Sequence, residues 1–117
     1  MKITHLDHCA EQGLSHDAEI VKKILFHENE LPASVRLSHA VFKPGQKASA
    51  HSHDDLYEIF YVIGGSGLFR INEDAYRVTT GSCMRIDPGE LHEVINDSHD
   101  DMIMIYFGLA QSEGNIA

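Results

Sequence analysis

Nowhere in this 117-residue chain do apolar residues run long enough to cross a bilayer; the best run, Met102 to Phe107, is only a strand's length. The opening residues, Met1-Lys2-Ile3-Thr4-His5-Leu6-Asp7, carry charge and histidine where a signal peptide needs an apolar segment. Basic residues are scarce: 9 Lys and Arg stand against 18 Asp and Glu, a formal charge of −9, and only Lys22-Lys23 cluster. A nucleic-acid partner needs cations to displace counterions from phosphates, and an anionic membrane surface needs them too, so neither partner is expected. Cysteine is nearly absent. Cys9 and Cys83 lie far apart and form no C-x-x-C pair, which reads as two free thiols in a reducing compartment. A cytoplasmic location is the expectation.

What the chain does have is histidine, nine of them, and a series of short apolar runs broken by turns. One domain is expected, because 43% hydrophobic residues in a chain of this length fill one core. From Val35 to Phe42 the side chains alternate loosely and stop at Lys43-Pro44-Gly45-Gln46. Leu56 to Ile63 is aromatic and β-branched and ends at Gly64-Gly65-Ser66-Gly67. Leu68 to Ile71 and Tyr76 to Thr79 flank a hairpin loop, Asn72-Glu73-Asp74-Ala75. Ser82 to Ile86, Leu91 to Asn96 and Met102 to Phe107 complete the series. Many short strands at even spacing predict an all-β sandwich or barrel over residues 35–110. Residues 1–34 fit a helical face or a strand, and a strand packing on the barrel, or swapping between barrels, is preferred. The apolar run Ile20, Val21, Ile24, Leu25 and Phe26 is more than a small barrel should expose, so pairing into a homodimer is expected.

His51 and His53 are two apart beside a strand that contains Glu58, and on extended backbone both imidazoles share a face. His92 comes from a separate strand. Imidazoles with one carboxylate suit a divalent transition metal (Fe, Mn, Ni, Zn or Cu) rather than Mg or Ca. Three His and one Glu also leave coordination positions open, as a catalytic site requires. A lone H-x-H pair is more often a surface or satisfied core feature, and its context decides. Gly45, five residues, His51-Ser52-His53, four residues, Glu58, six residues and Gly65 form one stretch. Gly81, five residues, Asp87-Pro88-Gly89-Glu90-Leu91-His92, three residues and Asn96 form a second.

These stretches resemble the two signature motifs of the cupin family, with Asp87 where the second motif has its first proline. The resemblance implies a double-stranded β-helix, the jelly-roll cupin barrel, with His51, His53, Glu58 and His92 as ligands of one metal in its mouth. It also implies a homodimer. Strand parity puts Phe60 and Val62 on Glu58's face as an apolar wall. Arg70 and Tyr106, with Arg36, His39 and Met104, are further candidates for the barrel mouth, as contacts to a small-molecule ligand. His5, His8, His16, His27 and His99 read as solvated surface. Asn96 reads as a partner of backbone groups. No catalytic acid or base is identifiable. The expected function is a small metal-dependent enzyme, a dioxygenase or an isomerase or lyase, acting on an oxygen-rich small molecule. The alternative is a ligand-binding or sensor module without turnover.

Overall fold

The computed structural model describes residues 1–2, 4–30 and 33–111. Ten strands follow a single 3-10 turn at Leu6–His8: β1 Glu11–Gly13, β2 Val21–Phe26, β3 Ser34–Phe42, β4 Lys47–His51, β5 Leu56–Gly64, β6 Ser66–Ile71, β7 Asp74–Thr79, β8 Cys83–Ile86, β9 His92–Ile95 and β10 Met102–Ala110. They form a six-stranded sheet in the order β1-β2-β3-β10-β5-β8 and a four-stranded sheet in the order β4-β9-β6-β7. Every pairing is antiparallel. The chain thus alternates between two facing sheets, the jelly-roll arrangement that the motif resemblance implies. No helix among the described residues is long and apolar enough to cross a membrane. The sequence also predicts a loose tail from Gln111 to Ala117, which lies, from residue 112 on, outside the described residues.

Period-two alternation decides which side chains fill the space between the sheets. On β5, Glu58, Phe60 and Val62 turn inward while Tyr61 and Ile63 face solvent. On β10, Met102 and Met104 are fully buried. The rings of Phe60 and Phe69 meet edge to face across the gap, with centroids 5.2 Å apart. Burying a side chain such as Phe69 stabilises by roughly 2–3 kcal/mol, so this inter-sheet layer holds the barrel closed.

The segment around β2 is a strand, and its alternation shows why the helical reading fails. Ile20, Lys22 and Ile24 are buried at every second position. The first and last of these pack into the chain's own interior, so much of the apolar surface that pointed to a partner is covered within the chain. Lys22 is the anomaly: it occupies an interior position at only 7% exposure.

Two irregularities shape the mouth. The register between β3 and β10 slips from Ser38↔Tyr106 to Val35↔Gly108, so Arg36 and Leu37 together oppose Phe107 in a bulge. Arg36 there has φ +28°, an unfavourable backbone for a bulky residue other than glycine. Asn96, fully buried, ties the far end together: its Nδ2 donates to the carbonyls of Phe42 and Asp100, both at 2.8 Å. Its Oδ1 accepts from the backbone N–H and the hydroxyl of Ser98. Asn96 is a structural clasp, as its sequence context predicts.

Candidate metal centre

The first pair of histidines meets through sheet register. His51 at the end of β4 is the register partner of His92 at the start of β9, and their ring centroids are 4.3 Å apart. His53 follows in the β4–β5 connection, where its carbonyl accepts from the N–H of Gly89 at 2.7 Å. That bond fixes the loop carrying one ligand against the turn that precedes another. Glu58 arrives from the opposite sheet, its Oε1 lying 3.0 Å from His92 Nε2 and 3.5 Å from His53 Nε2. One potential donor atom from each of the four residues lies within 4.8 Å of the others. Bonds of ~2.0–2.2 Å keep donors around one ion within ~4.4 Å of each other, so the cluster needs only a few tenths of an ångström of closure.

Hydrogen bonds orient two of the rings. A carbonyl can only accept, so His51 Nδ1–H must donate to Ser49 at 2.9 Å, and His92 Nδ1–H to Glu90 at 3.0 Å. Each ring therefore presents the Nε2 lone pair to the cluster, the arrangement that metal-ligating histidines adopt. Glu58 Oε1 and His92 Nε2 are both buried and neither makes a hydrogen bond, despite their 3.0 Å approach. Their close approach without an aligned hydrogen bond leaves hydrogen-bonding capacity that a cation between them would satisfy.

Electrostatics agree. Burial pushes Glu58 up, but the three imidazoles, His92 foremost, more than reverse this and hold the carboxyl below its usual range. For His92, burial works downward and is outweighed by Glu58 and the Glu90 carbonyl, so the imidazolium persists above its ordinary pKa. His51 is held low by burial, which keeps it neutral and available as a donor. Without a metal, Glu58 and His92 therefore stabilise each other's charged forms, and a metal would displace the His92 proton to reach its Nε2 lone pair. A divalent cation would fit the same place and satisfy more of the donors, so the residues present fit the metal that the motifs imply.

Beside the cluster lies a cavity of about 150 Å³. Phe60 and Tyr106 form one wall with stacked rings, centroids 5.1 Å apart and planes 19° apart. Burial pushes the Tyr106 phenol up to about 12. Val62 shares Glu58's face but sits deeper in the core and does not line the cavity. Arg70 is not at the mouth at all: Gly67 and Phe69 hold the interior positions of β6, and Arg70 is exposed with its Nε 3.5 Å from Glu93. His39 and Met104 are likewise absent from the lining, whereas Arg36 is part of it.

Two contributions escaped the sequence reading. Lys22 lines the cavity; the signal was its place in the Ile20-x-Lys22-x-Ile24 alternation. The loop before β2 also reaches the mouth. Asp17 accepts from the N–H and hydroxyl of Ser49 at 2.9 and 3.0 Å, and His16 lies with its ring 5.9 Å from that of His51. His16 is solvent-exposed as expected, but it stands at the mouth rather than on remote surface.

Comparison with known proteins places this geometry in a family context. The family described as the cupin domain matches residues 38–108. An oxalate-binding protein from Thermotoga maritima is 29% identical over 89 residues, which is 76% of this chain and 64% of that protein. The chain therefore spans somewhat less than two thirds of that relative. Among solved structures, one described as a predicted oxalate decarboxylase from Thermotoga maritima superposes with a TM-score of 0.86 at 18% identity, covering 93% of this chain and 99% of the other. A sugar phosphate isomerase of the cupin superfamily from Silicibacter pomeroyi gives a TM-score of 0.78 at 15% identity, covering 92% and 75%. At such identities these structures speak for the fold alone.

Proposed function

The chain belongs to the cupin domain family, and on that footing we propose that it is a metal-dependent protein for a small, oxygen-rich molecule. In this reading His51, His53, Glu58 and His92 hold one divalent transition metal, of the Fe, Mn, Ni, Zn or Cu class. The observation that carries the reading is the convergence of four donor atoms within 4.8 Å, two of them, Glu58 Oε1 and His92 Nε2, buried without an aligned hydrogen bond. When bound, such a metal supplies open coordination positions and Lewis acidity toward substrate oxygens. The chain's own residues set the conditions. The Ser49 and Glu90 carbonyls aim two imidazoles, and the Phe60–Tyr106 wall keeps bulk water from one side of the cavity, which lowers the local dielectric.

The preferred activity is enzymatic, a dioxygenase or an isomerase or lyase. The alternative is a binding module without turnover, and what favours it is a relative named for binding oxalate. The experiment is to load metal-free protein separately with Fe(II), Mn(II), Ni(II) and Zn(II) and assay each form with and without O2. O2-dependent turnover with iron alone supports the dioxygenase, and turnover without O2 the isomerase or lyase. Saturable ligand binding with no turnover in any form supports the binding module. Failure to bind any of the four metals overturns the whole reading. We also read residues 1–34 as a strand segment that packs on the 35–110 barrel or swaps between barrels, and the protein as a cytoplasmic homodimer. The two free cysteines fit the first location, and the exposed Tyr61 and Ile63 on the outer face of β5 offer a surface for the dimer.

A further inference from the structure

Following the inward side chains across the six-stranded sheet gives rows that run from the cluster to the far wall. One row passes Ser38, Tyr106 and Phe60, and its neighbour passes Val35, Gly108 and Glu58. The β3 bulge sets Arg36 between these rows. That is two strand spacings from Glu58, about 9–10 Å of backbone separation. Lys22, from β2, lies on the same wall one strand further out.

Two features of this wall, Lys22 and Arg36, are unexplained by packing. Lys22 is 7% exposed, yet among the described residues its ammonium makes no ion pair or hydrogen bond. A buried cation without a direct partner is costly; burial and then repulsion from Arg36 pull its pKa down, and the Glu28 charge offsets this only in part. Arg36 is held on a strained backbone in the bulge, the kind of local cost that persists where it aims a functional side chain. Its one ion pair runs from Nε to Glu28 at 3.4 Å, leaving both terminal amino groups unengaged by other described residues. Ser38, fully buried and part of the lining, lies beside Tyr106 and interacts with its phenol. The acidic groups at the cavity are committed elsewhere: Glu58 to the histidine cluster, Asp17 to Ser49. In a chain of net charge −9, two cations facing one small cavity are an arrangement that an anion would satisfy.

We propose that Lys22 and Arg36 form an anion clamp opposite the metal ligands, so that the cavity selects a small dicarboxylate. One carboxylate sits at the His51, His53, Glu58 and His92 cluster and the second on the clamp. The inference rests on the metal reading above and names the substrate class for that site. Size agrees, since a cavity of about 150 Å³ takes a molecule of roughly benzene's bulk, about six heavy atoms. A diacid of two to four carbons is of this order. Tyr106 lies between the two ends, feeling both the Glu58 carboxylate and the Arg36 guanidinium.

The test is calorimetric titration of the Zn-loaded full chain with malonate and with acetate, for wild type, Lys22→Met and Arg36→Gln, with zinc content measured before and after. Wild type should bind malonate at least about tenfold more tightly than acetate, as one added charge-assisted contact implies. Each variant should lose about tenfold or more in malonate affinity, keep its acetate affinity within about twofold, and keep its zinc. Equal affinity of wild type for the two acids overturns the clamp, as does a variant that weakens both equally or neither. Arg36 sits in the bulge, so Lys22→Met, which keeps the apolar stem, decides if Arg36→Gln does not fold. If wild type retains no zinc, the metal reading fails separately. The clamp is then judged on metal-free protein, where Lys22→Met must still weaken malonate binding.

Discussion

Alanine at His92 and alanine at His53 should act alike on metal binding and differently on the fold. The side chain of His92 is 1% exposed and packs between the ring of His51 and that of Phe60. Its removal leaves a cavity costing about 3 kcal/mol, as large-to-small core changes do. Loss of the unpartnered Nε2 returns about 1 kcal/mol of that. The side chain of His53 is 37% exposed and its ring makes no hydrogen bond among the described residues, so its loss should stay within about 0.5 kcal/mol. Unfolding entropy of about 2.1 cal/mol/K per residue over 117 residues converts each kcal/mol into about 4 °C. Metal-free His92→Ala should therefore melt about 8 °C below wild type, and metal-free His53→Ala within about 2 °C. A metal at one hundred times its Kd adds about 2.7 kcal/mol, a rise of about 11 °C for wild type. Both variants should lose most of that rise. Thermal melts followed by circular dichroism, after chelation and again with saturating Zn(II), measure all of these. The same metal-dependent rise in His92→Ala would refute the four-ligand assignment. Equal losses in the two metal-free variants would refute the account of burial.

Other perturbations follow from the same coordinates. Tyr106 has its phenol raised to about 12 from an unfolded value of about 10, so the native state retains a proton that the unfolded chain has lost. Its contribution is complete below pH ~10 and fades as pH rises toward ~12, by about 2–3 kcal/mol in all. Near-ultraviolet phenolate absorbance should show one tyrosine titrating that late. Gly67→Ala would put a Cβ 2.6 Å from the Ile95 carbonyl and 2.7 Å from Met102 Sδ, and should destabilise by at least about 1–3 kcal/mol in urea denaturation. Gly45, at φ +85° with nothing within 4 Å of an added Cβ, should lose only about 1 kcal/mol on the same change. Light scattering at micromolar concentration should give twice the 13.1 kDa chain mass; the monomer mass would remove the dimer.

The barrel was legible because short alternating runs and turn residues leave few other architectures, and β5 shows this most clearly. Glu58, Phe60 and Val62 point inward where the pattern puts them. His51, His53, Glu58 and His92 come together because register couples β4 to β9 and because β5 faces them across the core. Depth was not legible. Val62 has the right parity but the wrong level, and parity within β6 could not be fixed without knowing that Phe69 and Gly67 take the interior. The contributions of Lys22 and of the loop bearing His16 and Asp17 depend on how β1 and β2 fold back over the mouth. No local pattern encodes that contact, although a lysine between two buried isoleucines was a visible departure from the rule.

The central claim is that these four residues hold a metal ion. A crystal structure of the Zn-loaded protein with anomalous scattering at the zinc edge tests it most directly. The account predicts one peak per chain within ~2.0–2.3 Å of the Nε2 atoms of His51, His53 and His92 and of a Glu58 carboxylate oxygen. A fully loaded crystal with its peak elsewhere, or with none in the cluster, would contradict it.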